Sequence, residues 1–217
     1  MPALVRRPFW YVRHGETAWN VRHLAQGRTD IPLNERGREQ AREAGARLAA
    51  LFANGQRPFT HIVSSPLSRA RETAEAVRDA VLKAGGPALP ITTDDGFLEV
   101  CFGTLEGKEL QDWYKQWIED GYVPPEGEGF HELQARSTAA LNRAHQVGPG
   151  HNDDVPLIVA HGALFRGLRA SMGMEINVRL ANADPWHLSP VQPGSADDEG
   201  AGWKSWHDES VDVSQGV

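Results

Sequence analysis

Two short apolar segments of this chain each run straight into a histidine-glycine pair. Phe9-Trp10-Tyr11-Val12 leads through Arg13 to His14-Gly15, and Val155-Pro156-Leu157-Ile158-Val159-Ala160 leads to His161-Gly162. Runs of this length and composition read as buried strands. If both lie in one parallel sheet, both imidazoles arrive at the same edge, where such sheets bind ligands beyond the carboxyl ends of their strands. The glycine beside each histidine leaves room for a ligand to approach the backbone.

The chain between the two segments supplies the rest of such a sheet. From Asn34 to Asn54, Ala41, Ala44, Leu48, Leu51 and Phe52 recur at helical spacing, with Asn34 as N-cap and Asn54-Gly55 as the stop. His61-Ile62-Val63-Ser64 predicts a second strand, and Pro66 opens a helix whose stripe Ala70, Ala74, Val77 and Val81 ends before Gly85-Gly86. Ile91-Thr92-Thr93 predicts a short strand leading into a loop with Glu99. Helical patterns follow near 106–120 and 130–146, separated by Pro124-Pro125, and another runs through Leu164, Leu168 and Met172. Strand and helix alternate, which predicts a three-layer α/β/α sandwich with a mainly parallel central sheet. Residues 1–190 are expected to form one catalytic domain.

Composition narrows the function classes. No apolar stretch approaches the roughly 20 residues that span a bilayer, and the run ending at Arg13 is too short for a signal peptide, so a cytoplasmic chain without a membrane partner is expected. Cys101 stands alone and can form neither an internal disulfide nor a thiolate metal site. The nine histidines show no convincing ligand spacing, so neither a metal nor another cofactor is expected. A net charge of −7 argues against nucleic acid as a partner, and −5 of it falls in residues 191–217, where Asp197, Asp198, Glu199, Asp208, Glu209 and Asp212 face Lys204 alone. This acidic, glycine- and serine-containing tail reads as a solvated extension, although Trp203 and Trp206 can dock it on the body or on a second subunit. That tail or an exposed sheet edge can support a homodimer.

At the expected edge, His14 supplies a nucleophile, Arg13, Arg69 and His161 supply donors for phosphate oxygens, and Glu99 supplies a proton. That is the set that phosphoryl transfer without a metal requires. Singly each residue has an ordinary structural explanation, and an Arg-His-Gly tripeptide recurs by chance in roughly one chain in fifty. The weight lies in the set and its order.

Four stretches carry that order: Arg13-His14-Gly15-Glu16-Thr17-Ala18-Trp19-Asn20; Gly27 to Ala41 with Asp30, Leu33, Gly37 and Gln40; Ser64-Ser65-Pro66-Leu67-Ser68-Arg69-Ala70-Arg71-Glu72-Thr73-Ala74; and Glu99 to Gly107 together with Leu157 to Gly162. Over about residues 8–190 the chain resembles the histidine phosphatase superfamily, which includes the cofactor-dependent phosphoglycerate mutases. The resemblance implies a phosphoglycerate mutase-like fold, His14 as phosphoryl acceptor, Arg13, Arg69 and His161 on the phosphate oxygens, and Glu99 as proton donor. It also places Asn20, Gln26, Gly27 and Gly162 in stretches that line the pocket of relatives, and implies a small phosphorylated metabolite as partner. His23, His131 and Arg166 lie near the motifs as further candidates.

The family divides by what accepts the phosphoryl group. The mutases resembled carry a longer, more basic insertion after the acid loop, whereas residues 107–129 here hold only Lys108 and Lys115 against Glu109, Asp112, Glu119, Asp120, Glu126 and Glu128. This favours a phosphomonoesterase acting through a phosphohistidine. A phosphoglycerate mutase and a non-catalytic phosphometabolite-binding protein remain the alternatives. Trp113, Tyr114, Trp117 and Tyr122 in the same segment suit a bulkier or less charged substrate, or simply pack a helix on the sheet.

Overall fold

The computed structural model describes residues 2–150 and 153–207. β1 (Phe9–Arg13), β2 (His61–Ser64), β3 (Ile91–Thr93) and β4 (Pro156–Ala160) run parallel, and β5 (Pro185–Pro190) and β6 (Trp203–His207) extend the sheet antiparallel, in the order β3-β2-β4-β1-β5-β6. β1 and β4 are neighbours, with Val12 opposite Val159 and Arg13 opposite Ala160. The next residue on each strand is a histidine, so the register alone brings His14 and His161 together.

Each central strand divides its side chains between two cores. Phe9 and Tyr11 of β1 and Ile158 and Ala160 of β4 face one core, and Trp10, Val12, Leu157 and Val159 face the other. The second core is closed by α2 (Glu35–Ala50) and α3 (Ser68–Lys83) through Leu48, Ala70, Ala74, Val77 and Val81. The first is closed by α4 (Asp112–Glu119), α5 (Phe130–Ala144) and α6 (Gly162–Ser171) through Trp117, Leu133, Leu141, Leu164 and Leu168. Burial on both strand faces explains the unbroken apolar runs, and the fold is the expected three-layer sandwich. A four-residue helix, α1 (Ala18–Val21), follows β1. None of the described helices is long and apolar enough to cross a membrane.

Three segments differ from the sequence reading. The helix expected from 106 begins only at Asp112, because residues 107–110 pair with residues 23–25: Gly107 N–H donates to Ala25 O (2.8 Å), Ala25 N–H to Lys108 O (2.8 Å) and Leu110 N–H to His23 O (3.1 Å). Asn34 caps α2 as expected, accepting from Gly37 N–H (2.7 Å), but the helix stops at Ala50 and Asn54-Gly55 falls in a separate 3-10 turn. The described part of the acidic tail, 191–207, is not a solvated extension. Three residues apart on a strand, Trp203 and Trp206 lie on opposite faces: Trp203 is buried edge-on against Phe9 (6.2 Å) and Trp206 packs on Trp10 (6.1 Å). Asp198 ties the preceding turn together by accepting from Gly194, Gly200 and Gly202 N–H. Asp208, Glu209 and Asp212 lie outside the described residues, as does His151.

Candidate active site

His14 leaves β1 with its N–H donated to Ala160 O (2.9 Å) on β4, and its ring is 3% exposed. Its Nδ1 lies 2.7 Å from Gly15 O. A carbonyl can only accept, so Nδ1 carries the proton and Nε2 keeps its lone pair. Burial holds the imidazole pKa well below its usual range, the Arg69 and Arg13 charges push it further down, and the Gly15 bond opposes them only in part. The ring is therefore neutral at physiological pH, with a nucleophilic nitrogen.

His161 lies beside it, ring centroids 5.2 Å apart, fully buried and likewise held neutral, by burial first and then by Arg69 and His14. Ser65 Oγ accepts from Leu67 N–H (3.3 Å) and lies 2.8 Å from His161 Nε2. If the hydroxyl donates to Nε2, the imidazole proton sits on Nδ1, and that buried atom has no hydrogen-bond partner among the described residues.

Both arginines are buried and held by backbone carbonyls. Arg13 donates from Nη1 to Leu180 O (2.7 Å). Arg69, in the first turn of α3, donates to Thr29 O (2.9 Å) and Gly27 O (2.8 Å). Asp30 closes this arrangement by capping α3, accepting from Ser68 N–H and Oγ (both 2.8 Å). Burial lowers the Arg69 pKa to about 10, which leaves it cationic, and each arginine has an Nε buried without a protein partner among the described residues.

Glu99 is 8% exposed, and its carboxyl caps the N-terminus of α6, accepting from Ala163 N–H (3.1 Å) and Leu164 N–H (3.0 Å) as well as its neighbour Val100 N–H (3.0 Å). Burial raises its pKa, and these three bonds and the Arg69 charge hold the rise in check.

Arg13, His14, Asn20, Gln26, Gly27, Arg69, Glu99 and Gly162 all line one cleft at the carboxyl end of the sheet. A larger groove of about 980 Å³ between α2 and α3 holds no histidine and is lined mainly by alanines and exposed charges, so the chemistry belongs to the smaller cleft. Thr17 N–H donates to Asn20 Oδ1 (3.1 Å), and the Thr17 hydroxyl, with one proton to give, lies within hydrogen-bond distance of both Asn20 Oδ1 (3.1 Å) and Gln26 Oε1 (2.9 Å), which holds both amides at the rim. Gly27 needs its glycine: its φ is +53° and a Cβ would run into the Glu106 carboxylate. Of the two glycines beside the histidines, only Gly15 differs from expectation. A Cβ on Gly15 would strike Gly37 O, so Gly15 admits the first turn of α2 rather than a ligand, whereas Gly162 borders the cleft beside Arg13.

A family model described as histidine phosphatase superfamily, branch 1, matches residues 9–193. The chain belongs to this superfamily. It is 40% identical over 157 residues to an uncharacterized phosphatase, PhoE, of Bacillus subtilis, covering 72% of each chain. It is 36% identical over 163 residues to a probable phosphoglycerate mutase, GpmB, of Citrobacter koseri, covering 70% of this chain and 68% of that one. Among solved structures, a mycobacterial glucosyl-3-phosphoglycerate phosphatase superposes with a TM-score of 0.70 at 26% identity, over 93% of this chain and 97% of the other. A phosphoglycerate mutase from Thermus thermophilus gives 0.62 at 26% identity, over 86% and 94%.

In this member of the superfamily the further candidates separate. His23 and Arg166 line the cleft, and Arg166 donates to Ile176 O (2.7 Å), whereas His131 is exposed on α5 away from it. Sequence reasoning missed Arg179 and Leu180, which reach the cleft from the stretch before β5 with no motif to mark them. Tyr114 lines the cleft while Trp117, its Nε1 donating to Glu128 O (2.8 Å), anchors α4 in the core. Cys101 and the lysines at 108 and 115 are not in the lining.

Proposed function

We propose that this protein is a metal-independent phosphomonoesterase that acts through a phosphohistidine on His14. The observation that carries the reading is the meeting, around an imidazole with a bare Nε2, of the buried Arg13 and Arg69, each with an Nε–H unpartnered among the described residues, and of the buried His161, whose Nδ1 is likewise unpartnered there. Buried donors without partners cost free energy unless an anion completes them. A phosphoryl group held by two guanidinium ions and an imidazole has its oxygen charge offset.

In the first step His14 Nε2 attacks phosphorus in line, the N–P bond forms, and the ester P–O bond breaks. The departing alkoxide takes the proton of Glu99. Burial already favours the protonated carboxyl, and a dianionic phosphate beside it raises its pKa further. In the second step the Glu99 carboxylate takes a proton from water, the oxygen attacks phosphorus, and the N–P bond breaks to release phosphate and neutral His14.

Hydrolysis is favoured over mutase chemistry because neither lysine of the 107–129 segment lines the cleft, to which that segment contributes only Leu110 and Tyr114. Arg166, which hydrogen-bonds Tyr114, and Arg179 also line the cleft and favour the second reading, in which a second acidic group is gripped and the phosphoryl group returns to substrate. The test incubates the purified protein, with a chelator present, with an aryl phosphate and a panel of phosphorylated metabolites including 2- and 3-phosphoglycerate. Release of inorganic phosphate with a chelator-insensitive rate supports the phosphatase. Interconversion of the two phosphoglycerates without phosphate release supports the mutase, and binding without either reaction supports a non-catalytic protein.

A further inference from the structure

The proposed chemistry needs two loops in register: residues 27–30, whose carbonyls hold Arg69, and residues 96–102, which carry Glu99. Two carboxylates outside the reacting set join them. Glu106 Oε1 accepts from Arg28 N–H (2.9 Å) on one loop and Phe102 N–H (3.3 Å) on the other, and Oε2 accepts from Thr29 N–H (2.9 Å) and the Thr29 hydroxyl. Glu128, 9% exposed, accepts from Cys101 N–H (3.3 Å) and lies 3.5 Å from Arg28 Nη2.

Behind both stands Arg136, on helix α5. It grips Glu128 in a bidentate pair (Nε 2.5 Å, Nη2 2.8 Å) and donates to Gly96 O (3.0 Å), Leu98 O (2.7 Å) and Glu99 O (2.9 Å). All three nitrogens of its guanidinium thus serve the acid loop or the carboxylate that ties it to the phosphate loop. Arg136 itself touches only the acid loop and Glu128; the bonds that span both loops are those of Glu106 to Arg28 N–H and Phe102 N–H, and of Glu128 to Cys101 N–H and the Arg28 guanidinium.

We propose that Glu106, Glu128 and Arg136 are positioning residues that lock the two loops into one unit, so that the grip on the phosphoryl group and the placement of the Glu99 carboxyl are set together. This rests on the phosphatase reading above. A lysine at 136 has one nitrogen where the guanidinium has three, and a glutamine at 106 turns one acceptor oxygen into a donor facing donors. Either change frees the acid loop to drift from the leaving oxygen, an error to which proton transfer is sensitive.

The readout is the dependence of rate on leaving group, which loss of fold alone does not alter. Arg136→Lys and Glu106→Gln are assayed on 4-nitrophenyl phosphate, whose phenolate departs with little need of a proton, and on an alkyl phosphate, whose alkoxide needs one. Both variants are expected to lose about tenfold or more of kcat on the alkyl ester and at most about threefold on the nitrophenyl ester. Glu106→Gln is further expected to weaken inhibition by inorganic phosphate several-fold, because it also releases the phosphate loop. Thermal midpoints are measured in parallel, and Glu128→Gln replaces any variant that fails to fold. Equal losses on both esters, or unchanged kinetics, overturn the proposal. If the wild type is inactive or His14→Ala retains activity, the phosphatase reading itself has failed; if the wild type depends on His14 and the variants show no leaving-group effect, only the loop coupling has.

Discussion

Arg69→Lys isolates what the guanidinium contributes beyond its charge. Arg69 is fully buried and spends two N–H groups on Gly27 O and Thr29 O, while its Nε has no partner within the described protein. A lysine keeps the positive charge but concentrates its donors on one nitrogen, which cannot reach both carbonyls and a phosphate oxygen. Losing one or two bonds from a charged donor, at about 1.5–3 kcal/mol each before relaxation and solvation offset part of it, predicts a net destabilisation of about 1–3 kcal/mol. For a chain of this size that lowers the thermal midpoint by roughly 2–12 °C. Losing one preorganised donor to the transferring group predicts a further fall of about 10²–10³ in kcat on an aryl phosphate. The assay pairs thermal unfolding with initial rates, well below the unfolding transition. A variant that unfolds earlier yet turns over within about threefold of wild type would refute the reasoning, because it would show that Arg69 holds the loop and does not serve the phosphoryl group.

Three further outcomes follow from the same geometry. His14 must be neutral to attack and its pKa is depressed, so the acid limb of kcat/KM lies below histidine's usual range; Glu99 must be protonated and its pKa is raised, so the alkaline limb lies above the usual carboxylate range, and a pH–rate profile without that displacement contradicts the assignment. His145 is buried and its pKa is pushed down to about 4, chiefly by burial and then by the Arg7 and His61 charges, which a hydrogen bond with the Asp154 backbone offsets only in part. The unfolded chain takes up that proton near pH 6.5 and the folded chain does not, so stability falls from about pH 6.5 towards 4 by up to about 3 kcal/mol; His145→Phe should flatten the midpoint-against-pH curve there, and an unchanged slope would exclude His145 as its source. Gly27→Ala, at a φ of +53° and with its Cβ directed into Glu106, should raise KM for an aryl phosphate by about tenfold or more, since the loop that holds Arg69 must shift; an unchanged KM would show that the loop does not shape the cleft.

What was legible in the sequence lay where one short segment fixes its own outcome. The runs ending at Arg13 and Ala160 are apolar on both faces, so they had to be central strands, and the histidine following each had to meet the other. Asn34 and the α2 and α3 stripes were read for the same local reason. The rest depended on contacts between distant segments. Asp30 caps a helix 38 residues away, Glu106 reaches back to Arg28 and Thr29, and Glu99 takes its place from the N-terminus of α6; none of these leaves a periodic trace. β6 was hidden because its acidic, glycine-containing surroundings look solvated, and only its pairing with β5 and the burial of Trp203 against Phe9 overcome that composition.

The central claim is that the phosphoryl group passes through His14, and rapid-quench labelling with a ³²P-phosphoester tests it most directly. The account predicts a labelled protein whose phosphate is acid-labile and alkali-stable, formed and discharged fast enough to support turnover, unaffected by chelator and absent in His14→Ala. Turnover that proceeds with no labelled protein at any quench time, or that persists in His14→Ala, would contradict it.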